Sequence, residues 1–362
     1  MSVPKGKIFK GLNYNFLSSV FAIIVGLAFG FIILLISNPA QAVGGFTTIL
    51  TRAFKDLRSI GNVLYFATPI ILTGLSVGFA FKTGLFNIGA SGQFIVGAYL
   101  AVLIGVLGER LGNCQWLLAL LAAILGGALW ALLPGLLKAF ANVHEVISSI
   151  MMNYIGMYLV NYLVLKTVYD SLKNQSMRVA GNANIPKMGL NIIFPRSHVN
   201  GGIFIAVLAV IVIYIVLNKT TFGFELKAVG YNRDASKYAG INEKRSIVLS
   251  MLIAGALAGL GGGLLYLAGT GKHIEVVDIL AAEGFTGIPV ALLGLSNPIG
   301  ILFAGLFIGY ITVGGSYMQR YDFAPQIIDI IVASIIYFSA FSLIIKTFFD
   351  QRRTKLRGGK AE

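Results

Sequence analysis

Long apolar runs, separated by short polar stretches, dominate the chain. They fall near 16–37, 63–81, 86–107, 115–137, 145–165, 201–217, 247–268, 284–296, 299–318 and 325–345. The longer runs reach about 20 residues, which at a rise of about 1.5 Å per residue crosses the ~30 Å hydrocarbon core of a bilayer. The pattern therefore predicts an all-α, polytopic membrane helix bundle with about ten transmembrane segments. The run 284–296 is too short for one straight crossing. Gly284, Gly287, Pro289, Asn297 and Pro298 bracket or interrupt it. It is expected to be an interrupted or re-entrant segment, of the kind tolerated where it is buried in protein or lines a cavity. The first run is followed by Ala40-Gln41-Ala42, which mimics a cleavage site. It is longer than the ~7–15 residue core of a cleaved signal peptide and is expected to be retained.

Composition agrees with a lipid environment. Hydrophobic residues make up 57% of the 362 residues, charged residues 12%, and mean hydropathy is +0.83. A soluble domain carries about 25% charged residues, so too few polar side chains are present to cover a water-facing surface. A cytosolic globular enzyme, a disordered chain and a disulfide scaffold are thereby excluded. The single cysteine, Cys114, can form neither an intrachain disulfide nor a metal-binding Cys cluster. The 44 glycines include Gly26/Gly30, Gly74/Gly78, Gly255/Gly259/Gly263 and Gly305/Gly309. Such small-xxx-small spacing predicts helices whose backbones approach closely, because apolar burial supplies no driving force inside lipid.

The net charge is +14, but the basic residues fall between the apolar runs. That placement points to topology signals and contact with membrane lipid headgroups, and no nucleic acid partner is expected. With both termini in the cytoplasm and ten crossings, 17 of the 28 Lys and Arg lie on the cytoplasmic side. This has the sign of the positive-inside rule. The organisation expected is a tail and extra helix over 1–37, an interfacial segment over 38–62, a transmembrane domain over 63–348 and a basic cytoplasmic tail over 349–362. In the interfacial segment Ile49, Leu50, Ala53, Phe54 and Leu57 recur at helical spacing beside Arg52, Lys55 and Arg58. The cytoplasmic loop 218–246 has a short helical pattern bounded by Gly223 and Gly240.

Catalytic constellations are missing. His144-Glu145 opens like H-E-x-x-H, but Ser148 stands at the second His position. Gly269-Thr270-Gly271-Lys272 ends like a phosphate-binding loop, but Tyr266 and His273 occupy two required positions. No G-x-S-x-G elbow occurs. No catalytic residue, metal site or cofactor is expected, so the chain is not expected to be an enzyme, and uphill transport would draw energy from a partner or an ion gradient. Ionisable residues sit only at the margins of apolar runs, as at Glu145, Glu283 and Asp329, with no series suited to a proton relay. This argues against an ion-coupled secondary transporter, which stays as a second alternative. Uncharged polar residues cluster instead: Asn87, Ser91 and Gln93 lie between Phe86 and Phe94, and Asn153 and Asn161 lie on one later run. Amides and aromatic faces can hold a neutral polar solute, and the same amides also bond between helices.

The stretch ATPIILTGLSVGFAFKTGLFNIGASGQ from Ala67 to Gln93 resembles the signature of ABC-importer permeases of the ribose/branched-chain amino acid type, within which it is most similar to bacterial nucleoside permeases. EVISSIMMNY from Glu145 and GFTGIPVALLG from Gly284, followed by Asn297-Pro298, resemble further motifs of that family. The resemblance implies a nucleoside importer permease driven by a separate ABC ATPase subunit, with a monosaccharide permease as the alternative. It also implies an extracellular substrate-binding lipoprotein, a second permease subunit that is a different chain, and a bacterial plasma membrane location. The implied substrate pathway holds Phe86, Asn87, Ser91, Gln93, Phe94, Asn153, Phe285 and Thr286. FELKAVGYNRDASKYAGI, from Phe224 to Ile241, resembles the segment that docks on the ATPase, with Glu225, Lys227, Ala228, Gly230, Asn232, Ala235, Ala239, Gly240 and Ile241 as docking residues.

Overall fold

A computed structural model describes residues 6–324 and 326–340. Lys5, Pro325, the end of the last apolar run and the basic tail 349–362 lie outside the described residues. The described chain is mainly helical: α1 (Gly6–Ser37), α2 (Ala42–Thr51), α3 (Leu57–Lys82), α4 (Ala90–Leu107), α5 (Gln115–Ala141), α6 (Glu145–Thr167), α7 (Leu190–Ile193) and α8 (Gly202–Lys219). It continues with α9 (Thr221–Tyr231), α10 (Arg233–Tyr238), α11 (Glu243–Tyr266), α12 (Ala282–Phe285), α13 (Gly287–Leu293), α14 (Pro298–Ser316) and α15 (Gln326–Ala340). A two-stranded hairpin, β1 (Tyr169–Asp170) and β2 (Gln175–Ser176), lies in the loop after α6.

Among the described residues, seven helices are long and apolar enough to cross a membrane, and they coincide with seven of the ten apolar runs. The chain is thus a multi-pass membrane helix bundle. Of the other three runs, the first falls within α1 (Gly6–Ser37), the last begins in α15 (Gln326–Ala340), and 284–296 gives the short apolar stretch Ala282–Leu293. That stretch is divided into α12 and α13 at Thr286, whose backbone stays in the right-handed helical region.

The chain divides into two compact units. One comprises the described parts of Met1–Arg52 and Ile311–Glu362. In it α1 packs on α15 through the predicted glycine pair: a Cβ on Gly26 would strike the backbone of Ile335, and one on Gly30 would press on the Ile331 side chain. Gly44 and Gly45 of α2 accommodate the rings of Tyr321 and Phe323.

The other unit, Ala53–Tyr310, holds the larger core. Several helix starts in this unit, though not all, are capped locally by polar side chains. Asp56 accepts from the Ser59 N–H at 2.7 Å, Thr220 from Gly223 at 3.1 Å, and Asn242 from Arg245 at 3.0 Å. Helices α4, α5 and α11 meet with almost no side chain between them. A Cβ on Gly259 would collide with the Ala123 carbonyl, and one on Gly255 or Gly127 would collide with the backbone of the other. Gly97 of α4 abuts the Gly259 backbone in the same way. The spacing expected to bring backbones together does so here, and dispersion and backbone contact replace the absent hydrophobic drive. Gly305 and Gly309 of α14 likewise face Ile71 and Ala67 of α3.

Candidate solute cleft and docking element

Helix α3 ends at Lys82, and Gly84, at φ 71°, turns the chain back toward the bundle interior. The returning segment places Asn87, which is fully buried, beside Ser76, two turns up α3 from Lys82. Asn87 Nδ2 donates to Ser76 Oγ at 3.1 Å and to Gln93 Oε1 at 2.9 Å. Gln93 Nε2 donates back to Asn87 Oδ1 at 2.9 Å. These two amides therefore satisfy each other inside the protein. Phe94 is fully buried in an apolar cluster with Tyr99, Val160 and Leu265. Phe86 is half-buried and stacks on Phe81, with centroids 5.3 Å apart and planes 9° apart.

The start of α4 has no cap of its own, since its N-cap residue is Gly89. Asn153 of α6 supplies one from 61 residues away. Its Oδ1 accepts from the Gly92 N–H at 2.8 Å, and its Nδ2 donates to the Ile88 carbonyl at 3.0 Å. A donor partner and an acceptor partner together define the orientation of the amide. Gly92 is glycine for a matching reason: a Cβ there would press on the Asn153 backbone at 3.0 Å.

Ser91, one residue before Gly92, is buried and donates from Oγ to the Ala281 carbonyl at 2.9 Å. It borders a cleft of about 320 Å³ between α4, α6 and the segment 272–283. Of the eight residues expected along the solute path, Ser91 lines this cleft. Phe86, Asn87, Gln93, Phe94, Asn153, Phe285 and Thr286 do not border it; Asn153 bonds the Gly92 N–H next to Ser91, and Phe285 and Thr286 follow Glu283 at the junction of α12 and α13. Thr286 Oγ1 donates to the Glu283 carbonyl at 2.8 Å. Gly284 allows α12 to sit against the Ser91 backbone, where any Cβ would collide.

The remaining cleft residues were not singled out as path residues by the sequence. Asn161 donates to the Val277 carbonyl at 3.0 Å and to Asp278 Oδ1 at 3.1 Å. Lys272 pairs with Glu283, and its ammonium lies 5.7 Å from the centre of the Tyr266 ring. The segment carrying these groups is tied to the β1–β2 hairpin: the Ile274 carbonyl accepts from Ser176 N–H at 2.8 Å, and the Val276 N–H donates to the Asn174 carbonyl at 3.2 Å.

The loop 218–246 folds as α9 and α10, joined at Asn232, whose side chain caps α10 through the Ala235 N–H at 2.9 Å. Leu226 and Val229 anchor α9 in the bundle. Gly230 lies on the Lys82 carbonyl and the backbone of Gly84, at the turn that starts the segment leading to Ser91. Arg233 reaches Glu243 at 3.9 Å and Asn142 at 3.3 Å. Glu225, Lys227, Ala228 and Ile241 are half-buried, whereas Gly230, Asn232, Ala235, Ala239 and Gly240 are exposed. Tyr231 and Tyr238 are 91% and 94% exposed, so this helix pair offers aromatic surface while rooted in the bundle.

A polytopic bundle with a polar cleft among its helices and a rooted helix pair outside it has the build of a membrane translocation subunit. The family described as branched-chain amino acid transport system / permease component matches residues 59–344, and the chain belongs to it. It is 38% identical over 342 residues to the guanosine ABC transporter permease protein NupP of Bacillus subtilis (strain 168), covering 94% of this chain and 97% of that protein. It is 36% identical to the nucleoside ABC transporter permease protein NupB of Lactococcus lactis subsp. cremoris (strain MG1363), covering 93% and 97%. The glucose ABC transporter permease protein TsgB13 of Haloferax volcanii is 34% identical, covering 92% and 88%. No solved structure gave a significant match.

Proposed function

We propose that this chain is the membrane-spanning subunit of an ATP-driven nucleoside importer in the bacterial plasma membrane. The similarity to NupP and NupB along nearly the whole of each chain carries this reading. A cleft bordered by hydroxyl, amide, ammonium and carboxylate groups suits a neutral, hydrogen-bonding solute. The solute enters from an extracellular binding lipoprotein and passes Ser91 and Asn161, with Phe86, Asn87, Gln93, Phe94, Asn153, Phe285 and Thr286 supporting the path from outside the cleft.

In this reading the chain crosses ten times, with both termini in the cytoplasm. The pair α12 and α13 is an interrupted, half-length segment. A separate ABC ATPase docks on α9 and α10 through Glu225 to Ile241, and ATP-driven closure reaches the cleft through the contact of Gly230 with Gly84. Helix α6 bears exposed Met151, Tyr154, Ile155, Tyr158 and Tyr162, and this face receives a second, different permease chain. A monosaccharide permease is the second reading, favoured by the 34% identity to TsgB13.

Reconstitution of the complete complex in liposomes tests both. Labelled guanosine and adenosine are offered against ribose and glucose, with and without ATP. ATP-dependent nucleoside uptake that resists collapse of ion gradients is expected. Sugar uptake alone would establish the second reading, and uptake that survives ATP depletion and stops with the ion gradient would overturn both.

A further inference from the structure

The Lys272–Glu283 ion pair borders the cleft, yet the segment between its two residues is already held without it. Ser176 Oγ accepts from the Ile274 N–H at 3.1 Å, Asn161 donates to the Val277 carbonyl at 3.0 Å, and Ser91 donates to the Ala281 carbonyl at 2.9 Å. The Glu283 backbone is positioned by α12, whose Gly284 rests on the Ser91 backbone. Lys272, in contrast, follows Gly271 at φ 75° in an irregular turn and reaches over on a long flexible stem. The two side chains are 37% and 33% exposed. An ion pair of such exposure contributes little to stability, so a solute can displace the ammonium.

The geometry also leaves Glu283 half used. Lys272 Nζ contacts Oε1, and among the described residues no donor bonds Oε2. A carboxylate has two acceptor oxygens side by side and binds best a partner offering two parallel donors. Nucleosides and monosaccharides, the two solute classes weighed above, share one such group, a pair of hydroxyls on neighbouring carbons.

We infer that Glu283 is a specificity-determining residue that accepts hydrogen bonds from the vicinal hydroxyls of the solute in the cleft, with Lys272 as the counter-ion it exchanges. The inference rests on the solute path proposed above. Tyr266, with Lys272 over its ring, and Asn161 stand beside the same cleft and limit where the solute can sit.

The test compares guanosine with 2′-deoxyguanosine, which lacks the diol, in ATP-driven uptake by the reconstituted complex. The preference of the binding protein acts equally on every permease variant, so it cancels when the guanosine/deoxyguanosine ratio of a variant is divided by that of the wild type. A hydrogen bond to a charged acceptor corresponds to about tenfold or more in binding. Glu283→Gln is therefore expected to lower the ratio about tenfold, whereas Lys272→Gln, which leaves the acceptor in place, is expected to retain it. An unchanged ratio in Glu283→Gln overturns the inference, and so does an equal fall in both variants, which would make the pair a structural latch. Should Glu283→Gln fail to assemble, Glu283→Asp withdraws the acceptors while keeping the charge. A lowered ratio then supports the assignment and an unchanged one refutes it. Absence of ATP-dependent guanosine uptake in the wild-type complex would instead refute the proposed function.

Discussion

Replacing Asn153 with alanine removes the borrowed cap from α4. The Gly92 N–H and the Ile88 carbonyl, bonded to it at 2.8 and 3.0 Å, are then left without that partner in a site where Asn153 itself is 1% exposed. Hydrogen bonds between membrane helices contribute about 0.6 kcal/mol on average and up to about 1.7 kcal/mol. Two lost together correspond to a destabilisation of about 1–3 kcal/mol, small beside the whole bundle but concentrated at the residue next to Ser91. Asn153→Asp keeps an acceptor for Gly92 but turns a carboxylate oxygen toward the Ile88 carbonyl, so it is expected to be at least as damaging. Asn161→Ala is the control, because its two bonds lie in exposed surroundings, and a change below about 0.5 kcal/mol is expected. Equilibrium unfolding of the purified chain in mixed micelles with rising SDS fraction measures each variant. If Asn153→Ala shifted the free energy by no more than Asn161→Ala, the trans-cap would not hold α4, and the account of how the segment beside Ser91 is held would fail.

Gly259→Val forces a branched side chain into the Ala123 carbonyl and the Gly127 backbone. Overpacking of about 1–3 kcal/mol or more is expected, read as loss of folded protein by size-exclusion chromatography of membrane extracts. Gly240 sits at φ 83°, and no atom lies within 4 Å of where its Cβ would stand, so Gly240→Glu meets backbone strain of about 1–2 kcal/mol but no clash. It should leave the bundle folded and abolish ATP-driven uptake, with Gly240→Ala separating strain from charge; unaltered uptake in Gly240→Glu would remove the docking role. Tyr231→Ala and Tyr238→Ala, at more than nine-tenths exposed positions, are expected to leave unfolding unchanged within about 0.5 kcal/mol. They should weaken co-purification of the ATPase, and full retention would place its contact elsewhere.

The solvent of this protein and the way its helices touch were legible in the order of its residues. Run length and composition are local properties, and a segment of about 20 apolar residues has few choices other than a helix in lipid. The glycine pairs were readable for the same reason: Gly26 and Gly30, or Gly255 and Gly259, share a helix face whatever lies opposite. What lay opposite was not readable. That Gly26 meets Ile335, and Gly259 meets Ala123, follows only from the fold.

The polar residues show the division most clearly. From Phe86 to Phe94 the amides and the hydroxyl read alike as groups for a solute or for other helices. Folding commits Asn87 and Gln93 to each other and Asn153 to the start of α4, and it turns Ser91 to the cleft edge. It also brings Asn161, Lys272 and Glu283 to that cleft from separate stretches of chain. A hydrogen bond requires a separation of about 3 Å, and no pattern along the chain encodes which residue, tens or hundreds of positions away, will stand there.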